Sequence, residues 1–307
     1  MYLFTLADRV ARGLRAIDPR RLDRHRHFLL TQQMPNGGFR GREGESDLYY
    51  TGFAVRGLAI SGGLDGTERD ATAGFLSSQD PLRLNVIDLL SWLYSVLVVQ
   101  ASGGPDLLET QPDDFADRVA ARLETLRTTD GGYAKSQGGA LGSTYHSFLV
   151  TLTLQMYGQT VPRPNALIQF IYDRQRDDGG FVEIAPMRRS GTNPTAAAVA
   201  LLNNLGGMED NIAEDVLAFL GDVVSSEGGY QANTRIPFAD GLSTFTALLT
   251  AQDLGRPDLI PPNRIRQFVS HALERTEGGF VGASWDRQPD AEYTFYGLGI
   301  LGLLGAG

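Results

Sequence analysis

Residues 177–181 read Asp-Asp-Gly-Gly-Phe, and the Gly-Gly-aromatic core of this stretch recurs along the chain. The doublets begin at Gly37, Gly131, Gly179, Gly228 and Gly278, and each is followed by Phe or Tyr. The last four are spaced by about 50 residues, and the first gap is close to two periods. Because a fixed period of this length indicates a tandem array, we infer six repeats, of which the second has lost its glycines.

Every repeat has the same internal order: a polar-faced helix, the glycine turn with a polar loop, and a more apolar helix. In the fourth repeat, Pro164 to Gln175 is the first helix, with apolar residues at helical spacing. The glycine doublet ends it, since glycine adopts the left-handed conformation favoured at helix C-termini. Thr192-Asn193-Pro194-Thr195 then opens the second helix, which runs to Gly206-Gly207.

The other repeats place both helices at corresponding positions. Their first helices are expected near residues 20–33, 67–79, 113–127, 209–225 and 261–274. Their second helices are expected to begin near Ser46-Asp47, Asn85, Ser143, Asp240 and Asp290. These second helices are apolar nearly all round, which is typical of helices covered on both sides. No terminal hairpin carries a solvating cap and the chain stops at Gly307, so a closed ring is favoured over an open superhelix.

Composition describes a globular chain and argues against several function classes. With 42% hydrophobic and 21% charged residues, the 307-residue chain is ordinary for a folded domain. The net charge of -9 argues against a nucleic-acid partner, because binding phosphate backbones needs clustered Lys and Arg. The chain has no cysteine, so disulfides and thiolate metal sites are excluded, and we expect neither a metal nor another cofactor.

The N-terminal residues lack the long apolar core of a signal peptide. The longest apolar stretch, Val86 to Val99, contains Asp88 and is too short to span a bilayer. We therefore expect a cytoplasmic protein, for which peripheral membrane contact stays compatible with the sequence. Residues 1–19 are expected to form an N-terminal helical extension, and residues 20–307 a single domain of six helical hairpins.

From Gln33 to Gly302 these repeats resemble the prenyltransferase and squalene-oxidase repeat family, because Gly-Gly-Phe/Tyr, polar loop and apolar helix recur in that order. The family includes protein prenyltransferase β subunits, squalene–hopene and oxidosqualene cyclases, and class II diterpene cyclases. The resemblance implies an all-α fold, an α/α toroid with six inner and six outer helices. It also implies a cavity near the inner-helix N-termini that holds an isoprenoid or an isoprenoid diphosphate. A helical-repeat α-subunit-like partner is compatible with the resemblance but is not required.

The starts of the second helices, the inner helices of such a toroid, are rich in aromatic residues. Aromatic walls bury polyene chains and can stabilise a carbocation through their negative ring faces, although aromatics at helical spacing also pack ordinary cores. The candidate substrate-binding residues are Tyr49, Tyr50, Phe53, Trp92, Tyr145, His146, Phe245, Tyr293 and Tyr296. His146 is a candidate base or diphosphate contact, or a packed core histidine. Arg188, Arg189 and Arg235 are candidates for gripping a diphosphate, or solvated loop residues.

The zinc chemistry of protein prenyltransferases does not fit these residues. In the family, an aspartate, a cysteine two residues later and a distant histidine hold the metal. The corresponding positions here are Asp240, Leu242 and Tyr293. Leucine cannot ligate zinc, so ordinary protein prenylation is not expected, and Asp240 is left with the role of a helix N-cap.

Class II cyclases of the family imply an acid that protonates an alkene or epoxide. Their Asp-x-Asp-Asp-Thr-Ala signature has its nearest counterpart in residues 191–196, which keep Thr-Ala and lack every acid. Asp88 is the first substitute, because it interrupts an apolar helix in which burial would raise the pKa of its carboxyl, with Trp92 one turn on. Asn85, three residues earlier, also makes Asp88 a capping residue. Asp47, Asp290 and Glu292 are the other candidate acids.

We therefore expect an isoprenoid-binding enzyme. The first hypothesis is a metal-independent, single-domain class II terpene or meroterpenoid cyclase, with Asp88 as the proton donor. The alternatives are a prenyltransferase β-subunit-like transferase that uses an isoprenoid diphosphate, and a non-catalytic prenyl-lipid-binding protein.

Overall fold

The computed structural model describes residues 2–305, and these residues are mostly helical. The helices are α1 Tyr2–Leu14, α2 Pro19–Thr31, α3 Leu48–Ile60, α4 Gly66–Ser77, α5 Val86–Ala101, α6 Phe115–Glu124, α7 Thr144–Met156, α8 Pro164–Tyr172, α9 Thr192–Leu205, α10 Asp210–Asp222, α11 Gly241–Asp253, α12 Pro262–Phe268 and α13 Ala291–Gly305. A 3-10 turn spans Pro81–Arg83, and Val269–Leu273 continues α12 as a π-helix. Two short antiparallel strands, β1 Phe39–Arg40 and β2 Ser46–Asp47, precede α3.

The helices alternate as the repeat predicts, so the all-α, α/α-toroid fold class is confirmed. We call α2, α4, α6, α8, α10 and α12 the outer helices, and α3, α5, α7, α9, α11 and α13 the inner helices. Asp47, Asn85, Ser143 and Asp240 cap inner helices, each accepting a hydrogen bond from a backbone N–H three residues on. Helix α9 differs, because it already begins at Thr192 and Gly191 is its N-cap without a side-chain bond.

The contacts divide the chain into two compact units. Unit 1 contains residues 3–115 and 269–305, and in it the inner helices α13, α3 and α5 pack side by side. Unit 2 contains residues 116–268, and in it α7, α9 and α11 do the same. The break at residue 115 follows the second repeat, the one that lacks its glycine doublet.

The first glycine of each doublet packs against the backbone of the next outer helix. All five have a positive φ, from 84° at Gly179 to 103° at Gly278. A Cβ at Gly179 would lie 2.2 Å from the Asp215 carbonyl oxygen of α10, so only glycine fits this contact. A Cβ at Gly278 would lie 2.4 Å from the carbonyl oxygen of Arg24, which belongs to the first outer helix.

Within unit 1 the last repeat therefore packs on the first. The second glycine of each doublet lies under a phenylalanine of the next outer helix, and for Gly279 this residue is Phe28 of α2. Arg21 and His25 of α2 both bind the Glu274 carboxylate, and the Gly279 N–H donates to His25 Nδ1 at 3.0 Å. The first and last repeats therefore meet as successive repeats do.

On five of the six inner helices, a hydroxyl accepts a hydrogen bond from the backbone N–H of the aromatic residue in the same repeat. The N–H groups of Phe39, Tyr133, Phe181, Tyr230 and Phe280 donate to Thr51, Ser147, Thr195, Thr244 and Thr294, respectively. These bonds satisfy buried N–H groups that would otherwise lack a partner. The second repeat has no such aromatic, and Leu89 occupies the position of the hydroxyl residue.

Helix α1 packs on the end of the last inner helix. A Cβ at Gly302 would lie 2.6 Å from the Val10 carbonyl oxygen, and one at Gly305 would lie 2.3 Å from that of Gly13. Such approaches are available only to glycine, which explains its presence near the end of α13. The division into an extension over residues 1–19 and a domain over residues 20–307 stays a prediction.

Candidate functional site

In unit 1 the start of α13 carries a buried carboxylate that joins two loops. Asp290 is 3% exposed, and its carboxylate accepts hydrogen bonds from the Tyr293 N–H at 2.8 Å and from Arg42 Nε at 3.0 Å. Arg42 also binds Asp286. Burial raises the pKa of Asp290, and the bonds from Tyr293 and Arg42 oppose that shift. Asp290 therefore works as a helix cap and an ion-pair partner.

Glu292, two residues later, is the strongly shifted acid of this region. Burial raises its pKa to about 6, with a further contribution from the nearby Asp290 charge. The Tyr49 hydroxyl of α3 donates a hydrogen bond to the Glu292 carboxylate, which partly opposes the shift. At pH 7 such a group keeps its proton about a tenth of the time, and at pH 5 most of the time.

Aromatic rings of α3 and α13 form a cluster that reaches this acid through Tyr49. The Tyr49 ring contacts those of Tyr50 and Phe53, with centroids 5.3 and 5.0 Å apart. Phe53 reaches across to Tyr296 at 5.4 Å, and Tyr296 lies 6.4 Å from Tyr293. The structure thus brings together Glu292 and five of the predicted aromatic residues.

Asp47 and Asp88 start the two neighbouring inner helices. Asp47 is exposed, caps α3 by accepting from the Tyr50 N–H at 2.7 Å, and has its pKa raised by burial. Asp88 accepts from Asn85 Nδ2 at 2.6 Å, while its own N–H donates to Asn85 Oδ1. Burial raises the pKa of Asp88, the Asn85 bond lowers it, and the Asp47 charge raises it. The reciprocal bonds make Asp88 part of the α5 cap, and its role as proton donor stays a prediction.

Trp92 lies between α4 and α5. It is 1% exposed, its Nε1 donates to the Leu76 carbonyl oxygen at 2.9 Å, and its ring meets that of Phe115. The Trp92 side chain thus takes part in helix packing, where its indole N–H finds a partner. A role of Trp92 in a substrate chamber beside Asp88 stays a prediction. We leave it out of the candidate site.

In unit 2 the start of α7 contains a cluster that the sequence indicated only in part. Ser143 Oγ lies 2.9 Å from His146 Nδ1 and donates a hydrogen bond to the Glu183 carboxylate. Burial lowers the pKa of His146, with help from Lys135, and burial raises the pKa of Glu183. Glu183 was missed because nothing in its loop sequence distinguishes it from a solvated residue.

The remaining predicted residues of unit 2 are dispersed. Tyr145 is 40% exposed, whereas Phe245 is buried in α11. Arg188, Arg189 and Arg235 are all exposed on loops. Arg189 Nη1 donates to Thr234 Oγ1 at 2.9 Å, which brings it next to the Arg235 loop. Their role in holding a diphosphate stays a prediction.

Arg56 of α3 was also missed by the sequence reasoning. It is the one charged side chain that the inner helices, as described over residues 2–305, carry between their first and last turns. The signal was the one that identified Asp88, a charge inside an apolar helix. Its guanidinium lies 5.5 Å from the Phe53 ring centroid and 5.0 Å from that of Tyr94.

Two further features of residues 2–305 concern metals and membranes. No three of their His, Asp and Glu side chains are grouped as a cation site. None of their helices is both long and apolar enough to cross a bilayer. The expected independence from metal stays a prediction.

With this geometry in hand, the chain was compared with known proteins. It matches the Prenyltransferase alpha-alpha toroid domain family over residues 6–83 and 89–307. The chain belongs to this family. No curated protein sequence matches it.

Solved structures share the fold at low sequence identity. The chain is similar to the Candida albicans protein geranylgeranyltransferase-I complexed with GGPP, with a TM-score of 0.62 and 16% identity, over 97% of this chain and 84% of the other. It is also similar to a variant of the type II terpene cyclase MstE from Scytonema in complex with merosterolic acid A. There the TM-score is 0.60 and the identity 14%, over 99% of this chain and 98% of the other.

A third similar structure is that of a different kind of enzyme. It is an inactive variant of an alpha-1,6-mannanase of Salegentibacter sp. in complex with alpha-1,6-mannotetrose, with a TM-score of 0.57, 14% identity, and coverage of 94% of this chain and 98% of the other. Likeness at this level therefore shows the fold, and the chemistry has to be argued from the residues of the site.

Proposed function

We propose that the protein is an isoprenoid cyclase of the class II type in which Glu292 donates the initiating proton. Membership of the prenyltransferase toroid family supports an isoprenoid ligand. Two similar structures contain GGPP and merosterolic acid A, respectively, which supports the same ligand class. The observation that carries the proposal is a half-buried carboxyl with a pKa of about 6 that contacts Tyr49 of an aromatic cluster.

Glu292 suits proton donation better than its neighbours. Asp290 is engaged by Arg42 and by the start of α13, whose hydrogen bonds oppose the rise in its pKa. Asp88 is engaged with Asn85, although burial also raises its pKa, so it is the second candidate. Glu292 has no cation bound to it in the described residues, and its contact is the neutral Tyr49 hydroxyl. The raised pKa keeps a larger fraction of Glu292 protonated near neutral pH than of an ordinary glutamate, as a general acid requires.

The reaction can be written so that atoms and charge balance. The O–H bond of Glu292 breaks and its proton adds to the terminal double bond or epoxide of a polyprenyl chain. The electron pairs of internal double bonds then close rings, and the positive charge moves along the chain past the ring faces of Tyr49 and Tyr296. Transfer of a proton from carbon to water ends the reaction, so the overall change is an isomerisation. A proton from water restores Glu292.

The proposal is tested by incubating the protein with polyprenyl substrates and analysing products by mass spectrometry and NMR. We expect a cyclised isomer of the substrate, with turnover lost in Glu292→Gln and retained in part in Asp88→Asn. Turnover unchanged in Glu292→Gln and lost in Asp88→Asn would move the acid to Asp88. Linear products only, from every substrate, would contradict a cyclase.

A transferase that uses an isoprenoid diphosphate is the second candidate, supported by the contact of Arg189 with the Arg235 loop. It predicts release of pyrophosphate during turnover and loss of diphosphate binding in Arg235→Ala. A cyclase that protonates the chain releases none. Tight isoprenoid binding with neither cyclised product nor pyrophosphate would instead favour a prenyl-lipid carrier.

A further inference from the structure

Arg56 lies in unit 1, and residues 2–305 provide it with no counter-ion. Its Nε is buried and has no hydrogen-bond partner among residues 2–305, and no carboxylate of these residues forms a salt bridge with it. Its contacts are the faces of Phe53 and Tyr94. Cation–π contacts hold a guanidinium in position but satisfy none of its N–H donors. A donor left unpaired in this way is costly, which indicates a partner outside the protein.

A second unpaired polar group lies at the same level of the helix pair. Ser95 of α5 is fully buried, and its Oγ has no partner in the described part of the chain. Helices α3 and α5 meet where a Cβ on Gly52 would be 2.7 Å from Ser91 Cβ. Arg56 and Ser95 each follow one of these residues by four positions, so both lie one turn further along the contact.

We propose that Arg56 forms an oxyanion-binding subsite in unit 1 that holds the anionic head group of an isoprenoid ligand. The isoprenoid part of this assignment rests on the proposed function. A planar guanidinium binds the two oxygens of a carboxylate or of a phosphate in a forked geometry. The Ser95 hydroxyl can add a third hydrogen bond.

The position of the subsite sets the direction of the ligand. Arg56 follows Tyr49, the partner of Glu292, by seven residues, which is a rise of about 10 Å along α3. A guanidinium would repel a carbocation, so it fits the head-group end and not the end that is protonated. The ligand then extends along α3 with its terminal double bond at Glu292 and its oxyanion at Arg56.

The test uses three probes that share one tail: geranylgeraniol, geranylgeranoic acid and geranylgeranyl diphosphate. Dissociation constants are measured by calorimetry for the parent chain, for Arg56→Gln, for Arg56→Lys and for the exposed-arginine control Arg83→Gln. We expect the parent chain and the control to bind at least one anionic probe about tenfold or more tighter than the alcohol. This preference should vanish in Arg56→Gln and be reduced in Arg56→Lys, which keeps the charge but loses the fork. Whether the acid or the diphosphate gains more separates the two head groups.

A second measurement does not depend on the tail. The ¹⁵N signal of Arg56 Nε is followed while benzoate or pyrophosphate is added, and we expect a saturable shift with at least one of them. Equal binding of alcohol and anions in the parent chain, or an unchanged preference in Arg56→Gln, would overturn the subsite. A saturable shift in a protein that binds none of the three isoprenoids would leave the subsite standing and contradict the proposed function. Absence of both responses would contradict both.

Discussion

The fifth and sixth repeats share a framework and differ at two positions that matter for the proposed chemistry and for packing. Both have the glycine doublet, an aspartate cap on the inner helix, and a threonine hydroxyl that accepts from the aromatic N–H. At the end of the outer helix the fifth has Val224 and the sixth Glu274. At the second residue of the inner helix the fifth has Leu242 and the sixth Glu292.

The two aspartate caps show how context separates equivalent residues. Asp240 accepts from the Ser243 N–H and Oγ, both at 2.7 Å, and burial raises its pKa. Asp290 accepts from the corresponding N–H of Tyr293 but also binds Arg42. The framework positions therefore specify the toroid, and the positions between them are free to carry chemistry.

The largest expected effect comes from removing the acid of the sixth repeat. Glu292→Gln should lower turnover by roughly 100-fold or more, because a positioned general acid contributes at least that much. Its folded pKa of about 6 lies above its ordinary value, so the charged form opposes folding. The stabilisation that comes from the protonated Glu292 carboxyl is fully present below about pH 4.5, and it is lost as the pH rises through about 6. Glu292→Gln should therefore raise the melting temperature at pH 8 while abolishing activity.

The matched change in the fifth repeat is Leu242→Gln, which should leave turnover close to that of the parent chain. Turnover should also rise as the pH falls through about 6, and Glu292→Gln should remove this dependence. Loss of activity together with a lowered melting temperature would show that Glu292 acts through folding alone.

Glu274 provides the next largest effect, on stability. Burial alone would raise the pKa of Glu274, but hydrogen bonds from His25 and Arg21 lower this pKa to about 2. Glu274→Gln leaves Arg21 and His25 without their anion and should cost about 3 kcal/mol in urea unfolding at pH 7. The matched Val224→Ala should cost about 1 kcal/mol.

The sign of the pH dependence follows from the lowered pKa. The Glu274 contribution is fully present above about pH 4.5 and is lost as the pH falls through 2. Equal losses of unfolding free energy in Glu274→Gln and Val224→Ala would show that the Glu274 contacts between the first and last repeats add no stability beyond ordinary packing.

Removal of the aspartate caps of the fifth and sixth repeats should lower stability by amounts that differ less. Asp240→Ala removes one cap and should cost about 1 kcal/mol. Asp290→Ala should lower the free energy of unfolding by about 2 kcal/mol, because it removes the helix cap and also the buried carboxylate that Arg42 binds. Unfolding of Arg42→Met and of the double variant Arg42→Met/Asp290→Ala measures the coupling, and additive losses would contradict it.

The smallest difference is expected at the shared threonines. Thr244→Val and Thr294→Val remove the acceptors of the backbone N–H groups of Tyr230 and Phe280, respectively. Each change should destabilise the chain by about 1 kcal/mol. The reverse change Leu89→Thr should not raise the stability of the chain, because the second repeat has no aromatic residue whose backbone N–H could donate to the new hydroxyl. Unequal losses at the two threonines would mean that the two frameworks are not equivalent.

The sequence predicted the fold well because its signals are local. Glycine doublets, Asp or Ser caps and apolar helices depend on neighbours within one repeat, and their helices lie within a few residues of expectation. Helix α9 begins within its predicted opening, at Thr192, and its N-cap is Gly191, which forms no side-chain bond. Contacts such as Arg21 with Glu274 join residues 253 positions apart, and no local pattern indicates them.

The site was harder to predict for the same reason. The pKa of Glu292 depends on burial, on Asp290 and on Tyr49 of another helix, whereas the sequence alone favoured Asp88. Trp92 has the right spacing for a ligand-facing surface, but its orientation is decided by packing against α4. Arg56 could have been found, because a lone charge in an apolar inner helix was visible in the sequence.

The most direct test of a proton-initiated reaction is turnover in D₂O with a polyprenyl substrate, followed by mass spectrometry of the product. If a carboxyl in equilibrium with solvent starts the cyclisation, each ring-closed molecule gains one deuterium, located by NMR at the carbon of the former terminal double bond, and no pyrophosphate appears. A product without deuterium, formed as pyrophosphate accumulates, would contradict the account.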